Sequence, residues 1–368
     1  MARELSTKEI AMLEPAVLMQ RCIALAQQAA GYTAPNPLVG AVIVNHGEIV
    51  GEGYHPKAGE PHAEVFALRA AGENARGATV YVNLEPCNHH GRTPPCTEAL
   101  IQAGVKTVVV GMVDPDPRVS GQGIARLRAA GIEVITGVEE AACLALNAGF
   151  CHRVTQGQPW GILKYAMTLD GKIATTTGHS AWVTGPAARR LVHAVRSQSD
   201  GVIVGGNTLR RDNPLLTSHG VREHNPTRIV LSRTLDLPPD AQLWDTAIAP
   251  TLVFTTEGAN GELQRQLGDR GVEILELPVL EITEVMQNLG DRGMNQVLWE
   301  CGGILAAAAI QAQAVQKIMA FIAPKIIGGE LAPTPIGDLN LTAMTQALTL
   351  KNLTLRAIDG DWLIEGEL

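Results

Sequence analysis

The stretch PHAEVFALRAAGENARGATVYVNLEPCNHHGRTPPCTEALIQAGVKTVVVG, residues 61–111, decides the fold. Pro61 opens a helix running to about Ala71, because its fixed φ suits a first helical turn, and Gly72 closes it. Thr79–Leu84 is rich in β-formers and predicts a strand. Pro95 opens a second helix that ends before Gly104. Val105–Gly111 is a near-continuous apolar run, as in a strand buried on both faces. Helix, strand, helix and strand in succession predict a layered α/β domain with a largely parallel sheet.

The flanks extend the pattern. Ala16–Ala30 reads as an amphipathic helix stopped by Gly31. Val39–Val44 and Ile49–Tyr54 read as strands joined by a turn at Asn45-His46-Gly47. Ile124–Ala130 is helical and Ile132–Thr136 is a strand. The polar segment from Arg153 to Pro159 carries Gly157 and Pro159 and predicts a linker. The expected domains are therefore residues 1–152 and 159–368. A second α/β pattern follows, with strands at Gly161–Tyr165, Gly201–Gly205, Arg228–Leu231, Thr251–Phe254, Val272–Leu277, Gln296–Glu300 and Lys317–Ile322. Helices fall at Ala187–Val195, Glu262–Leu267 and Ile304–Ala314, and Ala347–Glu365 reads as two closing strands. No internal repeat relates the halves, so they read as different α/β domains.

Composition narrows the function. The 368 residues suit two domains, and 46% hydrophobic against 18% charged residues is ordinary globular composition. A net charge of −8 with only 5 Trp, 4 Tyr and 4 Phe argues against a nucleic-acid partner. No apolar run approaches the roughly 20 residues of a membrane span. The start, Met1 to Ser6, lacks a signal pattern, so a cytoplasmic protein is expected. Six cysteines are too few for a disulfide framework and point to metal binding or chemistry. Cys22, Cys143 and Cys151 lie outside the motifs below and read as core or neutral positions.

Pro61-His62-Ala63-Glu64, Glu85-Pro86-Cys87 and Pro94-Pro95-Cys96 carry the first chemistry. His62, Cys87 and Cys96 supply three zinc ligands and leave a fourth position for water, the mark of a catalytic zinc. Pro61 places His62 and Glu64 in a first helical turn, Cys87 directly follows a strand, and Pro95 places Cys96 at a helix start that favours a thiolate. Glu64, two residues past the ligand His62, fits the non-ligating proton shuttle of a zinc deaminase. It takes a proton from water and delivers it to the ring nitrogen and the departing ammonia. His89 and His90, in the insert between the cysteines, are rival ligands. A zinc-stabilised binding protein, with one of them closing the shell, is the non-enzymatic alternative.

His62-Ala63-Glu64 followed by Glu85-Pro86-Cys87-Asn88-His89-His90-Gly91-Arg92-Thr93-Pro94-Pro95-Cys96 resembles the bifunctional deaminase–reductases of riboflavin biosynthesis. The long spacing between Cys87 and Cys96 is that family's own. Asn36-Pro37-Leu38-Val39-Gly40, Gly51-Glu52-Gly53-Tyr54-His55 and Asp114-Pro115-Asp116-Pro117 add to the resemblance, which spans essentially the whole chain. It implies a cytidine-deaminase-like three-layer domain followed by a dihydrofolate-reductase-like α/β domain. It also implies zinc-dependent deamination of 2,5-diamino-6-(5-phosphoribosylamino)pyrimidin-4-one, then reduction of the product's ribosyl group to ribityl by NADPH. Asn36 would contact the deaminase substrate, its plainer reading being an Asx-Pro turn. A reductase with an inactive first domain is the alternative, and a homo-oligomer is expected.

The second half lacks G-x-G-x-x-G and so does not read as a Rossmann domain. Gly302-Gly303, between a strand and an apolar helix, offers backbone amides to a pyrophosphate, or serves only as a turn. Lys164–Lys172, Gly178–Trp182 and the stretch from Asn207 to Pro214 carry the reductase resemblance. By it, NADPH would contact Ala166, Trp182, Thr208, Asp212, Gly302 and Gly303. Substrate would contact Ser180, Arg196, Leu216 and Glu300, with Arg196 offering bidentate geometry to a phosphate. Lys164 would assist ribose opening, or simply extend from a strand end into solvent. Three positions depart from the family. His219 stands where the family often has a phosphate-binding Arg, with Arg222 a nearby substitute. Ser232 stands for an Asp, and Cys301 for a small residue.

Overall fold

The computed structural model describes residues 14–89 and 94–368. The chain divides into two compact units, one ending at Gln156 and the other spanning Gly157–Leu368. Among the described residues no helix is long and apolar enough to cross a membrane.

The first unit runs α1 (Pro15–Gln27), β1 (Gly40–Asn45), β2 (Glu48–Tyr54), α2 (Ala63–Ala71), β3 (Thr79–Leu84), α3 (Cys96–Ala103), β4 (Thr107–Met112), α4 (Gln122–Ala129), β5 (Glu133–Thr136), α5 (Glu140–Leu146) and α6 (Ala148–Gln156). Its sheet has the order β2-β1-β3-β4-β5. Strand β1 is antiparallel to both neighbours, whereas β3, β4 and β5 are parallel. The sheet is thus mixed rather than largely parallel. The cause is local. His46 and Gly47 have φ of 49° and 78°, the positive values of a tight hairpin turn, which folds β2 straight back on β1. Only the later strands are joined by helical crossovers, which enforce parallel pairing.

Every residue of β4 is buried. One side of the sheet packs Ala63, Ala67, Leu100 and Leu127, from α2, α3 and α4, against Ile43, Val80 and Val108. The other packs Leu18, Met19 and Ile23 of α1 and Cys143 of α5 against Val42, Leu84 and Val109. These are the three layers expected. Residues 153–156, read from sequence as linker, form the last turn of α6, with Thr155 Oγ1 donating to Cys151 O at 2.8 Å. Helix α6 buries no residue fully, and a solvated helix has the same polar composition as a linker.

The second unit runs β6 (Trp160–Thr168), α7 (Pro186–Gln198), β7 (Gly201–Gly205), α8 (Gly206–Asp212), β8 (Thr227–Leu231), β9 (Thr251–Thr256), α9 (Gly261–Asp269), β10 (Glu273–Leu277), α10 (Ile282–Asp291), β11 (Gln296–Trp299), α11 (Gly303–Gln311), β12 (Lys317–Ala323), β13 (Lys351–Ile358) and β14 (Asp361–Glu367). The sheet order is β10-β9-β8-β7-β11-β6-β12-β14-β13. Pairing is parallel from β10 through β12, and β14 is antiparallel to both β12 and β13. Separate apolar clusters cover the two faces. The carboxyl ends of β6, β7 and β11 therefore share one edge, where open parallel sheets place ligands.

Candidate functional site

In the first unit, α2 begins at Ala63, two residues after the Pro61 expected to open it. His62 is the N-cap, extended at φ −75° and ψ 164°, and Glu64 lies in the first turn. Cys87 lies three residues beyond β3 rather than directly after it, and Pro95 caps α3 so that Cys96 is its first residue. The three ligand atoms lie within 4.8 Å of one another. His62 Nδ1 is 3.2 Å from Cys96 Sγ and 3.5 Å from Cys87 Sγ. A tetrahedral zinc with Zn–N of about 2.0 Å and Zn–S of about 2.3 Å separates such atoms by about 3.6 Å, so the donor set fits zinc. Among the described residues this is the cluster of metal-ligating groups, and the exposed His89 is not in it. His90 lies outside the described residues.

The electrostatics suit a cation. Hydrogen bonding from Cys96, then from His62, holds the Cys87 thiol well below its ordinary pKa, whereas the same contact with Cys87 and burial push Cys96 up. The backbone N–H of Cys96, at the start of α3, donates to Cys87 Sγ at 3.3 Å. Glu64 is buried and its Oε2 has no hydrogen-bond partner. Burial, with the charge of Cys87, raises its pKa to about 7.

Asn36 joins this site through a residue to which the sequence motif assigned no role. Asn36 Nδ2 lies 3.0 Å from His55 Nε2, and His55 Nδ1 lies 3.0 Å from Pro61 O. The carbonyl can only accept, so Nδ1 carries the proton and Nε2 accepts from the Asn36 amide. Burial lowers the pKa of His55 and favours this neutral form. Its ring meets that of His62 edge-on at 5.4 Å.

In the second unit, a cleft of about 1980 Å³ opens at the sheet edge. That exceeds the roughly 300–1,000 Å³ of a single small-ligand pocket and has room for a dinucleotide beside a sugar phosphate. Lys164 and Ala166 of β6 line it, with Ser180 and Trp182 from the next loop and Arg196 of α7. Thr208 and Asp212 of α8 and the following Leu216 line it too, as do Glu300, Gly302 and Gly303. Burial raises the pKa of Asp212, and the neighbouring Ser180 hydroxyl opposes that rise. Trp182 is 70% exposed, with the Arg189 guanidinium 4.5 Å above its ring. The two glycines differ. A Cβ at Gly303 would stand 2.7 Å from Thr334 O, whereas Gly302, the N-cap of α11, faces open space.

Glu300 organises the floor. It pairs with Arg196 through Nε and through Nη2 (3.0 Å), and with Lys164 Nζ at 3.0 Å. Burial would raise its pKa, but Arg196 and Lys164 outweigh burial and hold it well below the carboxylate range. Arg196 Nη1 also donates to Thr217 O at 3.2 Å. The bidentate fork expected to face a phosphate is therefore closed on Glu300, because a buried carboxylate needs that partner more than solvent does. His219 lines the cleft and stacks on His193 at 4.1 Å, while Arg222 is not among the lining residues. Burial, then His219 and Arg196, depress His193 to about 4. His193 was missed from sequence, although its position three residues before Arg196 puts both on one face of α7.

Residues 13–112 match the cytidine and deoxycytidylate deaminase zinc-binding region, and residues 159–364 match the RibD C-terminal domain. The chain is 60% identical to riboflavin biosynthesis protein RibD of Synechocystis sp., over 97% of each chain. It is similar to a solved structure of Acinetobacter baumannii RibD, with a TM-score of 0.87 and 38% identity over 96% of this chain and 99% of that one. It is also similar to a Thermotoga maritima diaminohydroxyphosphoribosylaminopyrimidine deaminase/5-amino-6-(5-phosphoribosylamino)uracil reductase. There the TM-score is 0.86, with 36% identity over 96% of this chain and 98% of that one.

Proposed function

The chain belongs to the RibD family of riboflavin biosynthesis proteins, and from that premise we propose how its own residues divide the work. It is a deaminase and a reductase in one chain, with a zinc-binding deaminase half and an NADPH-dependent reductase half. Its substrate is a small phosphorylated pyrimidine. Our reading assigns residues 1–152 to deamination of 2,5-diamino-6-(5-phosphoribosylamino)pyrimidin-4-one and residues 159–368 to reduction of the resulting 5-amino-6-(5-phosphoribosylamino)uracil. The convergence of His62, Cys87 and Cys96 beside a buried carboxylate with a free oxygen carries the deaminase reading. An inactive first domain would be expected to lose such a set.

His62, Cys87 and Cys96 would hold zinc, which acidifies a water when bound. Glu64 moves the proton. Burial favours its protonated form, so the carboxyl can hold a proton and pass it on, and its Oε2 has no other partner. Asn36, its amide fixed by His55, orients the pyrimidine. In the second unit Ala166, Trp182, Thr208, Asp212 and the Gly302–Gly303 turn would hold NADPH, which would provide hydride chemistry there. Lys164 Nζ donates a proton to the ribose oxygen as the ring opens, and Glu300 fixes that ammonium in place. Arg196 meets the phosphate with the N–H groups left beyond Glu300 and Thr217, while Ser180 and Leu216 bound the sugar. Treatment with a zinc chelator should abolish deamination, leave reduction of the aminouracil substrate intact, and be reversed by added zinc. Deamination that survives complete zinc removal would refute the assignment.

We read the protein as cytoplasmic and as a homo-oligomer assembled through β13. That strand has a partner on one side only, and Lys351–Ala357 are exposed along its length. Leu353 and Leu355, 62% and 61% exposed, alternate onto one face. An open apolar edge of this kind is normally covered, and a second copy presents the same edge. The double substitution Leu353→Lys and Leu355→Lys should convert an oligomer to monomer by light scattering. A wild-type monomer would exclude the assembly.

A further inference from the structure

Glu85 is buried two residues before Cys87, and its carboxylate accepts backbone N–H groups on both oxygens. Oε2 accepts from Asp114 at 3.1 Å and Gly121 at 2.9 Å. Oε1 accepts from Gly123 at 2.9 Å and Ile124 at 3.2 Å. Three of these donors lie at the start of α4, whose N-cap is Gly121 and so offers no side chain. Glu85 supplies both the missing cap and a negative charge at the positive end of the helix. The fourth donor explains the Asp114-Pro115-Asp116-Pro117 motif. Asp114 Oδ1 accepts the Asp116 N–H at 2.9 Å, and Asp116 Oδ2 pairs with Arg118 Nη2 at 2.6 Å. The resulting turn presents the Asp114 N–H to Glu85.

The other side of the segment is tied to α3. Cys87 O accepts the Thr97 N–H at 3.2 Å, Cys87 Sγ accepts the Cys96 N–H at 3.3 Å, and Asn88 Oδ1 accepts the Thr97 hydroxyl at 2.9 Å. Residues 85–88 are thus held between two helix starts. The fit on the α4 side is close, since a Cβ at Gly123 would stand 2.1 Å from Pro86 O.

We propose that Glu85 is a positioning residue for Cys87: by tying residues 85–88 to the start of α4, it fixes where the thiolate stands relative to His62 and Cys96. The proposal rests on reading those three residues as zinc ligands. Two variants test it. Glu85→Gln keeps the shape but turns an amide toward backbone donors. Gly123→Ala keeps the carboxylate and displaces the Pro86 carbonyl, and it carries the test if Glu85→Gln does not fold. Zinc content and release to a chromogenic chelator are measured, together with the absorption spectrum of each protein loaded with cobalt(II).

Wild type should hold zinc stoichiometrically. Both variants should release it about 10–100-fold faster, as when a ligand's supporting contacts are lost, and should shift the cobalt bands. Lower thermal stability with wild-type release and an unchanged cobalt spectrum would reduce Glu85 to a helix cap and overturn the proposal. Wild type without zinc would overturn the ligand reading itself, a result visible before any variant is made.

Discussion

Glu64→Gln should slow deamination by about 10²–10⁴-fold, the usual contribution of a positioned acid–base group, while zinc content and reduction stay at wild-type levels. Glu64 is buried beside the ligand cluster, its Oε2 has no hydrogen-bond partner, and burial has raised its pKa to about 7. Glutamine keeps the volume and one acceptor but cannot take up a proton. Product formation at saturating substrate, with metal analysis of the same sample, checks the outcome. Near-wild-type deamination would mean that another group moves the proton.

Glu300→Gln should have the largest effect on the second unit. The carboxylate is 8% exposed and balances Arg196 and Lys164, which are 12% and 18% exposed. Removing one partner of such a buried pair costs about 3–5 kcal/mol, because the remaining charges are left without compensation. Lys164 and Arg196 then lose their shared anchor, and misplacement of about 1 Å is enough to lower kcat/KM for reduction about 10²-fold. The pH dependence has a fixed sign. The folded pKa of Glu300 lies below its unfolded value of about 4.3. Its contribution is therefore complete above that value and is lost as pH falls toward the folded pKa. Thermal unfolding of the variant should be flatter than wild type in the acid limb below about pH 4. Equal acid limbs and unchanged reduction would show that the pair is not coupled to catalysis.

Much of this was legible in the sequence because the decisive signals are local. Pro61 and Pro95 lie just ahead of the helix starts at Ala63 and Cys96, and the apolar run into Gly111 became the fully buried β4. Thr79–Leu84 and Gly201–Gly205 have the limits the residues suggest. The sheet of the first unit was read as largely parallel because strand direction depends on which strand is crossed over, a long-range property. The hairpin at His46-Gly47 was visible, but the placement of β1 between β2 and β3 was not. Helix α8 escaped because seven residues with adjacent arginines carry no apolar period. Helix α10 did carry one, in Val285, Met286 and Leu289.

The site divides along the same line. Residue types announce candidate ligands and proton carriers, so His62, Glu64, Cys87 and Cys96 could be singled out from their spacing, and the fold brings His62, Cys87 and Cys96 together. Partnerships are not announced. Arg196 was expected to be open to a phosphate, and only the fold shows Glu300 closing its fork. His55, His193 and Glu85 are defined by their contacts with other residues, and nothing in their neighbours along the chain reveals whom they touch.

The most direct test of two sequential activities in one chain is to incubate the purified protein with the diaminopyrimidine ribosylamine phosphate and NADPH, and to identify products by mass. The account predicts a product in which one amine has been exchanged for oxygen and two hydrogens added to the ribose, with ammonia released and NADPH consumed. A product that is reduced but still carries that amine would contradict the account, as would no deaminated product at all from zinc-loaded protein.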